Sequence, residues 1–398
     1  MISIRRIFFA SSFFLFLGNW TGMTAINWYV YDYYQEAAYL GYINFARLIP
    51  IVLFSLYAGK LCDRYKKTIL AKWYGAAVLL ITALLAALAF MDELTFAALL
   101  VFSFIRGVAS AFETPNRNSI LGTLGDSKDM SKLVSSHSLI INLCRSAGPA
   151  LAGMMLAAYD VQWTFLLQAA AALLSLLLIL PLKEDKSVRI VKRKPLPSWK
   201  VVKQYFAGDE TGRRIFLYSL ITMAFGFSYS TVLPVLVDGH FAGRADIFGL
   251  SMAVAAAGGI IGAVFLPRAV EHFGEQKVYY RSGFLFAISL LLIPVPVKAL
   301  FFVVLFTLGF FGQWLRSSNR IYFQRHVPES ERGVLMSAVL MDRGMIPAGS
   351  ILISFMIGWF GAAPVFLIMG TICLLPLLFR RQTFKLTHKK VYNIADSN

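Results

Sequence analysis

The sequence predicts an all-α membrane protein whose twelve transmembrane helices form two related six-helix halves. Three observations carry this expectation. Hydrophobic residues make up 58% of the chain and charged residues 15%, with a mean hydropathy of +0.65. Apolar runs of bilayer length recur from end to end, and similar short segments stand at matching places in the two halves of the 398 residues. A soluble chain of this size would carry more charge.

The runs fall at about 7 to 31, 37 to 58, 69 to 90, 94 to 113, 134 to 158, 161 to 182, 213 to 236, 247 to 267, 278 to 297, 299 to 321, 333 to 357 and 361 to 379. Each is near the roughly 20 residues that cross a hydrocarbon core. Lipid offers no partner to backbone N–H and C=O groups, so these runs are helices; strands of a membrane barrel would alternate in hydropathy and be shorter.

Run one continues into "NWYVYDYY" without a small-residue cleavage site, so it stays as a helix and not a signal peptide. Tyr31, Tyr33 and Tyr34 at its end suit anchoring at the membrane interface. Run two ends at Gly59 and run three is apolar throughout. Run four carries Arg106 and closes on Glu113 and the pair Asn116-Arg117. Run five opens near His137, read as a polar interface residue, and holds "LCRSAGPALAG"; run six carries Gln168.

The polar stretch Lys183 to Arg214 then divides the runs six and six. In it "PSWKVVKQYF" offers Ser198 as a cap and Trp199, Val202 and Phe206 at helical spacing. That suits a short helix lying beside anionic headgroups, with a solvated basic linker as the alternative. Run seven holds Phe225 and Tyr229, and run ten holds Gln313 and Trp314 and closes on Asn319-Arg320. Run eleven contains "DRGMIPAGS", and run twelve precedes a basic tail. The expected divisions are 1–182, a linker 183–212, 213–380 and a tail 381–398.

Net charge is +17, and its placement removes any need for a nucleic-acid partner. Of 38 lysines and arginines, Arg47, Arg106, Arg145 and Arg343 lie in membrane runs. Of the loop cations only Arg244 and Lys298 fall on one side, and the others, Arg117, Arg316 and Arg320 among them, are assigned to the opposite side. Positive loops stay in the cytoplasm, so both termini are expected there, in a plasma or bacterial inner membrane. Cys62, Cys144 and Cys373 have neither disulfide-frame nor metal-site spacing and are read as free thiols.

"RSAGPA" at Arg145 to Ala150 and "RGMIPA" at Arg343 to Ala348 share Arg, Pro and Ala at the same offsets. The two Asn-Arg pairs close runs four and ten in the same way. A duplicated six-helix unit explains both. Proteins built from such halves place a solute site between them near the midplane and rock one half against the other.

Between runs two and three stands "AGKLCDRYKK". Glycine allows a tight turn, and an aspartate can face the positive end of a neighbouring helix. Gly59, Asp63, Arg64 and Lys67, with Leu61, resemble the signature of the major facilitator superfamily. Lys66 replaces the usual second glycine, as in the branch containing macrolide-efflux and enterobactin-exporter proteins. "AFETPNRNSIL", "RSAGPALAG" and "RHVPESERGVLMSA" leading into "DRGMIPAGS" extend that likeness over the whole chain. The resemblance implies that Asp63 acts as a latch against the start of helix eleven. It likewise implies that Gly148, Pro149 and Gly153, with Arg145, form the fifth-helix antiporter motif associated with export. Pro149 removes a helix hydrogen bond, and the small residues admit a neighbouring helix.

A cation at the centre of a membrane helix costs about 2.5 to 3.5 kcal/mol, so such residues face a cavity or a partner. Arg47, Arg106, Arg145 and Arg343 are therefore expected along the pathway or its cytoplasmic gate. Arg145 and Arg343 are expected to find partners across helices among Glu113, Asp342 and Asp32. Glu113 and Asp342 are the candidate proton-coupling carboxylates; Asn19 stands where the relatives that the chain resembles commonly have an acid, a departure from simple proton antiport. An aromatic and amidic wall for bulky solutes is expected from Asn19, Trp20, Asn27, Trp28, Gln168, Tyr229, Gln313 and Trp314.

These readings define a monomeric secondary exporter of a small organic solute, a drug or secondary metabolite. It works in the bilayer without a cofactor, driven by an ion gradient, with H⁺ as the expected ion. A dedicated siderophore exporter or a lipid flippase is the alternative. No HExxH, GxSxG or phosphate-binding loop supports an enzyme, and no sensor domain or filter segment supports a receptor or channel.

Overall fold

A computed structural model describes residues 4–121, 124, 130–182, 199–241, 244–327, 335–336, 338–339 and 341–378. Among these residues every regular element is helical. The amino-terminal set is α1 (Ile4–Tyr34), α2 (Ala37–Arg64), α3 (Lys67–Phe90), α4 (Phe96–Leu121), α5 (Met130–Ala158) and α6 (Val161–Ile179). A short α7 (Trp199–Gly208) follows. The carboxy-terminal set is α8 (Glu210–Ile221), a π turn (Thr222–Gly226), α9 (Tyr229–Phe241), α10 (Ala245–Phe273), α11 (Glu275–Leu292), α12 (Lys298–His326), a 3-10 turn (Met341–Gly344), α13 (Met345–Phe360) and α14 (Ala362–Leu378).

Among the described residues, eight helical segments are long and apolar enough to cross a membrane. They are α1, α3, α4, most of α5, α6, the α8 to α9 segment, α10 and α12; α13 and α14 are shorter apolar helices.

The helix pairings occur twice. In the first set α2 packs on α4, α3 on α4 and on α6, and α1 on α5 and α6. In the second, α10 packs on α12, α11 on α12 and α14, and the π turn with α9 on α13 and α14. Glycines allow the closest approaches. A Cβ on Gly107 of α4 would collide with the Arg47 carbonyl of α2, and one on Gly309 of α12 would collide with the Ala255 carbonyl of α10. Between the sets, α5 packs on α10 and α2 on α13.

Three sequence expectations need correction. Helices α4 and α12 run well past the apolar runs that announced them, so Arg117, Arg316 and Arg320 lie within helices and not in loops. Hydropathy falls where polar residues begin, although a helix continues when those residues face the bundle and not lipid. His137 is buried, not interfacial, with its ring 5.8 Å from Phe8 and 5.7 Å from Phe16 of α1. Tyr31 is buried too, whereas Tyr33 is exposed as an interface anchor would be.

The amphipathic α7 turns Val202 inward, with Phe206 stacked on Phe216 of α8 at 4.9 Å. Asp209 caps α8 by accepting from the Gly212 amide at 2.9 Å and also accepts from Tyr205 and Tyr322 hydroxyls at 2.9 and 3.1 Å. Cys144 and Cys373 are buried free thiols. Ser198 and the side chains of Trp199 and Cys62 lie outside the described residues.

Candidate substrate path between the halves

The seam between the two helix sets is closed at the end remote from α7. The Tyr31 hydroxyl of α1 donates to Asp238 of α9 at 3.1 Å, and Trp28 stacks on Phe248 of α10 at 5.5 Å. A Cβ on Gly153 would lie 2.5 Å from the Gly249 Cα, and one on Gly41 would lie 2.8 Å from the Ser354 Cβ. Backbone meets backbone where α5 crosses α10, so no side chain larger than hydrogen is accommodated there without movement.

The fifth-helix motif thus divides its contacts. Gly148 faces α1, where its Cβ position lies 2.6 Å from the Trp20 Cβ and its carbonyl accepts from the Thr21 hydroxyl at 3.3 Å. Gly153 faces the other half. Pro149 stands between them inside a helix that continues through it. Having no N–H, it cannot bond the Arg145 carbonyl one turn back.

Arg145 itself reaches across the seam. Its Nη2 lies 3.7 Å from the Cβ position of Gly259 on α10, and the Gln313 Cβ of α12 lies 3.9 Å from that same point. One turn further along α12, Arg316 donates to Gln313 Oε1 at 3.3 Å and lies 4.4 Å above the Phe227 ring. Tyr229 is close enough for Arg145 and Arg316 both to act on it electrostatically, and the two arginines act on each other. Asp342 is buried beside this group and accepts from Asn319 Nδ2 at 3.4 Å, with Arg316 and Arg320 near. Arg145, Tyr229, Gln313, Arg316 and Asp342 therefore converge from both halves on one region.

Other expected site residues lie elsewhere. Glu113 meets Arg106 at 3.7 Å and Arg117 at 3.4 Å, both on its own helix, and not Arg145. Arg117 also donates to Ser12 at 2.9 Å and to Ser11 and Ser175 at 3.3 Å, tying α4 to α1 and α6. Asn27 accepts from Asn44, whose Oδ1 takes Arg47 Nη2 at 2.9 Å. Asn19 and Gln168 line a cavity inside the amino-terminal set with Arg47 and Arg106.

The expected solute wall is therefore not one surface. Trp20 packs between α1 and α5 within the amino-terminal set, Trp28 packs across the seam, and Trp314 donates to the Gly262 carbonyl at 2.7 Å between α10 and α12. Arg343 lies in the 3-10 turn that precedes α13, unlike Arg145 in mid-helix. Its side chain, and those of Gly59, Asp63 and Arg64, lie outside the described residues, so the latch is not described; Lys67 opens α3.

Sequence reasoning missed Arg316, Arg320 and Asp238. The first two are four apart and share a helix face, a signal hidden by their assignment to a loop.

A bundle of paired helix sets with a closed seam and buried cations between them defines a membrane transporter of the major facilitator class, not an enzyme. More particularly, the chain belongs to the transmembrane secretion effector family, which matches residues 2–398. It is 44% identical over 377 residues to the staphyloferrin A transporter of Staphylococcus aureus, covering 93% of this chain and 94% of that one. Among solved structures it resembles a bacterial homologue of the iron transporter ferroportin in the inward-facing state, with a TM-score of 0.73, 14% identity and coverage of 95% and 97%. It also resembles the nucleoside transporter NupG, with a TM-score of 0.70, 16% identity and coverage of 95% and 98%. The last two likenesses concern the fold.

Proposed function

We propose that this transporter exports an anionic siderophore of the staphyloferrin A kind from the cytoplasm by alternating access. The observation that carries the proposal is the 44% identity to a staphyloferrin A transporter over nearly the full length of both chains. The region between the halves supports it. Arg145 and Arg316 offer guanidinium groups from opposite halves, and such groups suit carboxylates, which they bind in paired hydrogen bonds. With both termini in the cytoplasm, the closed end faces outward, and the molecule is in a state that would load solute from inside.

Proton coupling is part of the same proposal, and Asp342 is the carboxylate we assign to it. Glu113 is already engaged by two arginines, whereas Asp342 stands beside the solute cations. The ionised Asp342 carboxylate and the anionic solute would compete for the same arginines, so proton occupancy of Asp342 and solute occupancy would be linked.

The test compares siderophore inside cells and in the medium, by mass spectrometry, in cells lacking the gene and in cells carrying it again. Retention inside the deleted cells, reversed on complementation, is expected. Unchanged secretion together with accumulation of lipophilic drugs would replace this reading by general drug efflux.

A further inference from the structure

The amino-terminal helix set holds a second cationic feature that the transport reading leaves unused. Arg47 of α2 and Arg106 of α4 stand on turns so close that Gly107, next to Arg106, touches the Arg47 carbonyl. Both side chains line a cavity of about 30 Å³ together with Asn19, Thr82, Ser103 and Gln168. Apolar side chains of α1, α3 and α4 complete its walls. The volume is room enough for a water molecule or an ion of similar size.

Polar atoms of two of the residues that line this cavity lack protein partners. Among the described residues Arg106 Nε donates to no acceptor and Gln168 Oε1 accepts from no donor, although the two residues are only 8% and 6% exposed. Arg106 turns Nη1 toward Ser110 at 3.1 Å and Glu113 at 3.7 Å, and its Nε is buried without an acceptor. Arg47 gives Nη2 to a neutral amide, Asn44. Arg106 and Arg117 thus share Glu113, and Arg47 makes no ion pair among the described residues.

We propose that this cavity binds one small monovalent anion, a halide, between Arg47 and Arg106. A water molecule would satisfy the geometry but leave two like charges adjacent in a low-dielectric interior, where their repulsion is strongest. A halide accepts from Arg106 Nε, from Arg47, and from Asn19 or Gln168 through their amide N–H groups once these are turned inward. All the residues that line the cavity belong to the amino-terminal set, away from the Arg145 and Arg316 region between the halves, so the anion is a resident of the helix set and not cargo. By neutralising the pair it holds α2 against α4, and α2 is one of the helices at the seam. Transport by the full chain is then halide-dependent at constant ionic strength.

The experiment uses the full-length protein purified in detergent, with sodium gluconate replaced stepwise by sodium chloride or bromide. A saturable rise in unfolding midpoint of about 2 °C at tenfold excess over Kd is expected for both halides. Arg47→Gln should remove the rise, Arg47→Lys should weaken it, and Arg316→Gln should leave it intact. Should Arg47→Gln not fold, anomalous scattering from bromide-soaked wild-type crystals decides, with a peak expected between the two guanidinium groups. Equal midpoints in chloride and gluconate, a full response in Arg47→Gln, or no bromide peak at that place would each overturn the proposal. None of these readouts involves the exported solute, so their failure is distinct from failure of the siderophore reading.

Discussion

At the scale of single residues, the decisive fact is where each arginine ends. Arg117, Arg316 and Arg320 look like loop cations in the sequence because hydropathy drops around them. In the structure Arg117 is 2% exposed and bonded to three serines on two other helices. Composition reports that polar residues are present but not which way they face, so buried networks at helix ends escape it. Arg145 was legible because it interrupts an apolar run, whereas its companion Arg316 was not. For the proposed solute contact, Arg316→Gln should lower siderophore export about 30-fold to 100-fold, the equivalent of one lost charge-assisted pair. Arg316→Lys should recover only part of this, because an ammonium cannot offer a paired donor fork. Initial rates in inverted vesicles measure both, and wild-type rates in Arg316→Gln would remove the residue from the path.

At the scale of elements, packing explains what periodicity could not. The helices are apolar almost all round, so the sequence fixes their existence better than their faces. Glycine contacts and buried ion pairs then choose the neighbours. Arg117 is the strongest such tie in the first set, since it joins α4 to α1 and α6. Replacing it by Gln leaves Glu113 with one distant cation and three serines without their donor. A loss of about 3 kcal/mol in stability is expected, measured by unfolding in detergent. Equal stability of Arg117→Gln and wild type would show that water substitutes for the guanidinium. Helix α7 was legible as an amphipathic segment, but its partner was not. Its apolar face meets α8 and α12, so the sequence between the halves is partly structured against the second set.

At the scale of the whole molecule, the doubled pattern of pairings was foreshadowed by two short repeats, and Gly153 was legible in a motif whose small residues admit a neighbouring helix. Its partner Gly249, and Gly41 at the other crossing, have no side chain to signal a role. If the seam opens during transport, joining Gly41→Cys to Ser354→Cys by oxidation should arrest it. The Cβ positions are 2.8 Å apart, and a small parting of α2 and α13 brings them to the roughly 3.8 Å of a disulfide. Transport should fall to background on oxidation and return with reductant; continued transport in the oxidised protein would mean that this seam stays shut throughout the cycle.

The backbone contact between Gly153 and Gly249 carries one more consequence, and it concerns water. Helices touching at glycine leave no room for solvent, so the opposite state must admit water into a cleft where there was none. The balance between the two states then depends on water activity. Solutes too large to enter the cleft favour the form with less hydrated volume. A polymer of that size, added on the outer side, should slow export in proportion to its osmotic pressure, and the slope counts the water molecules admitted at each turnover.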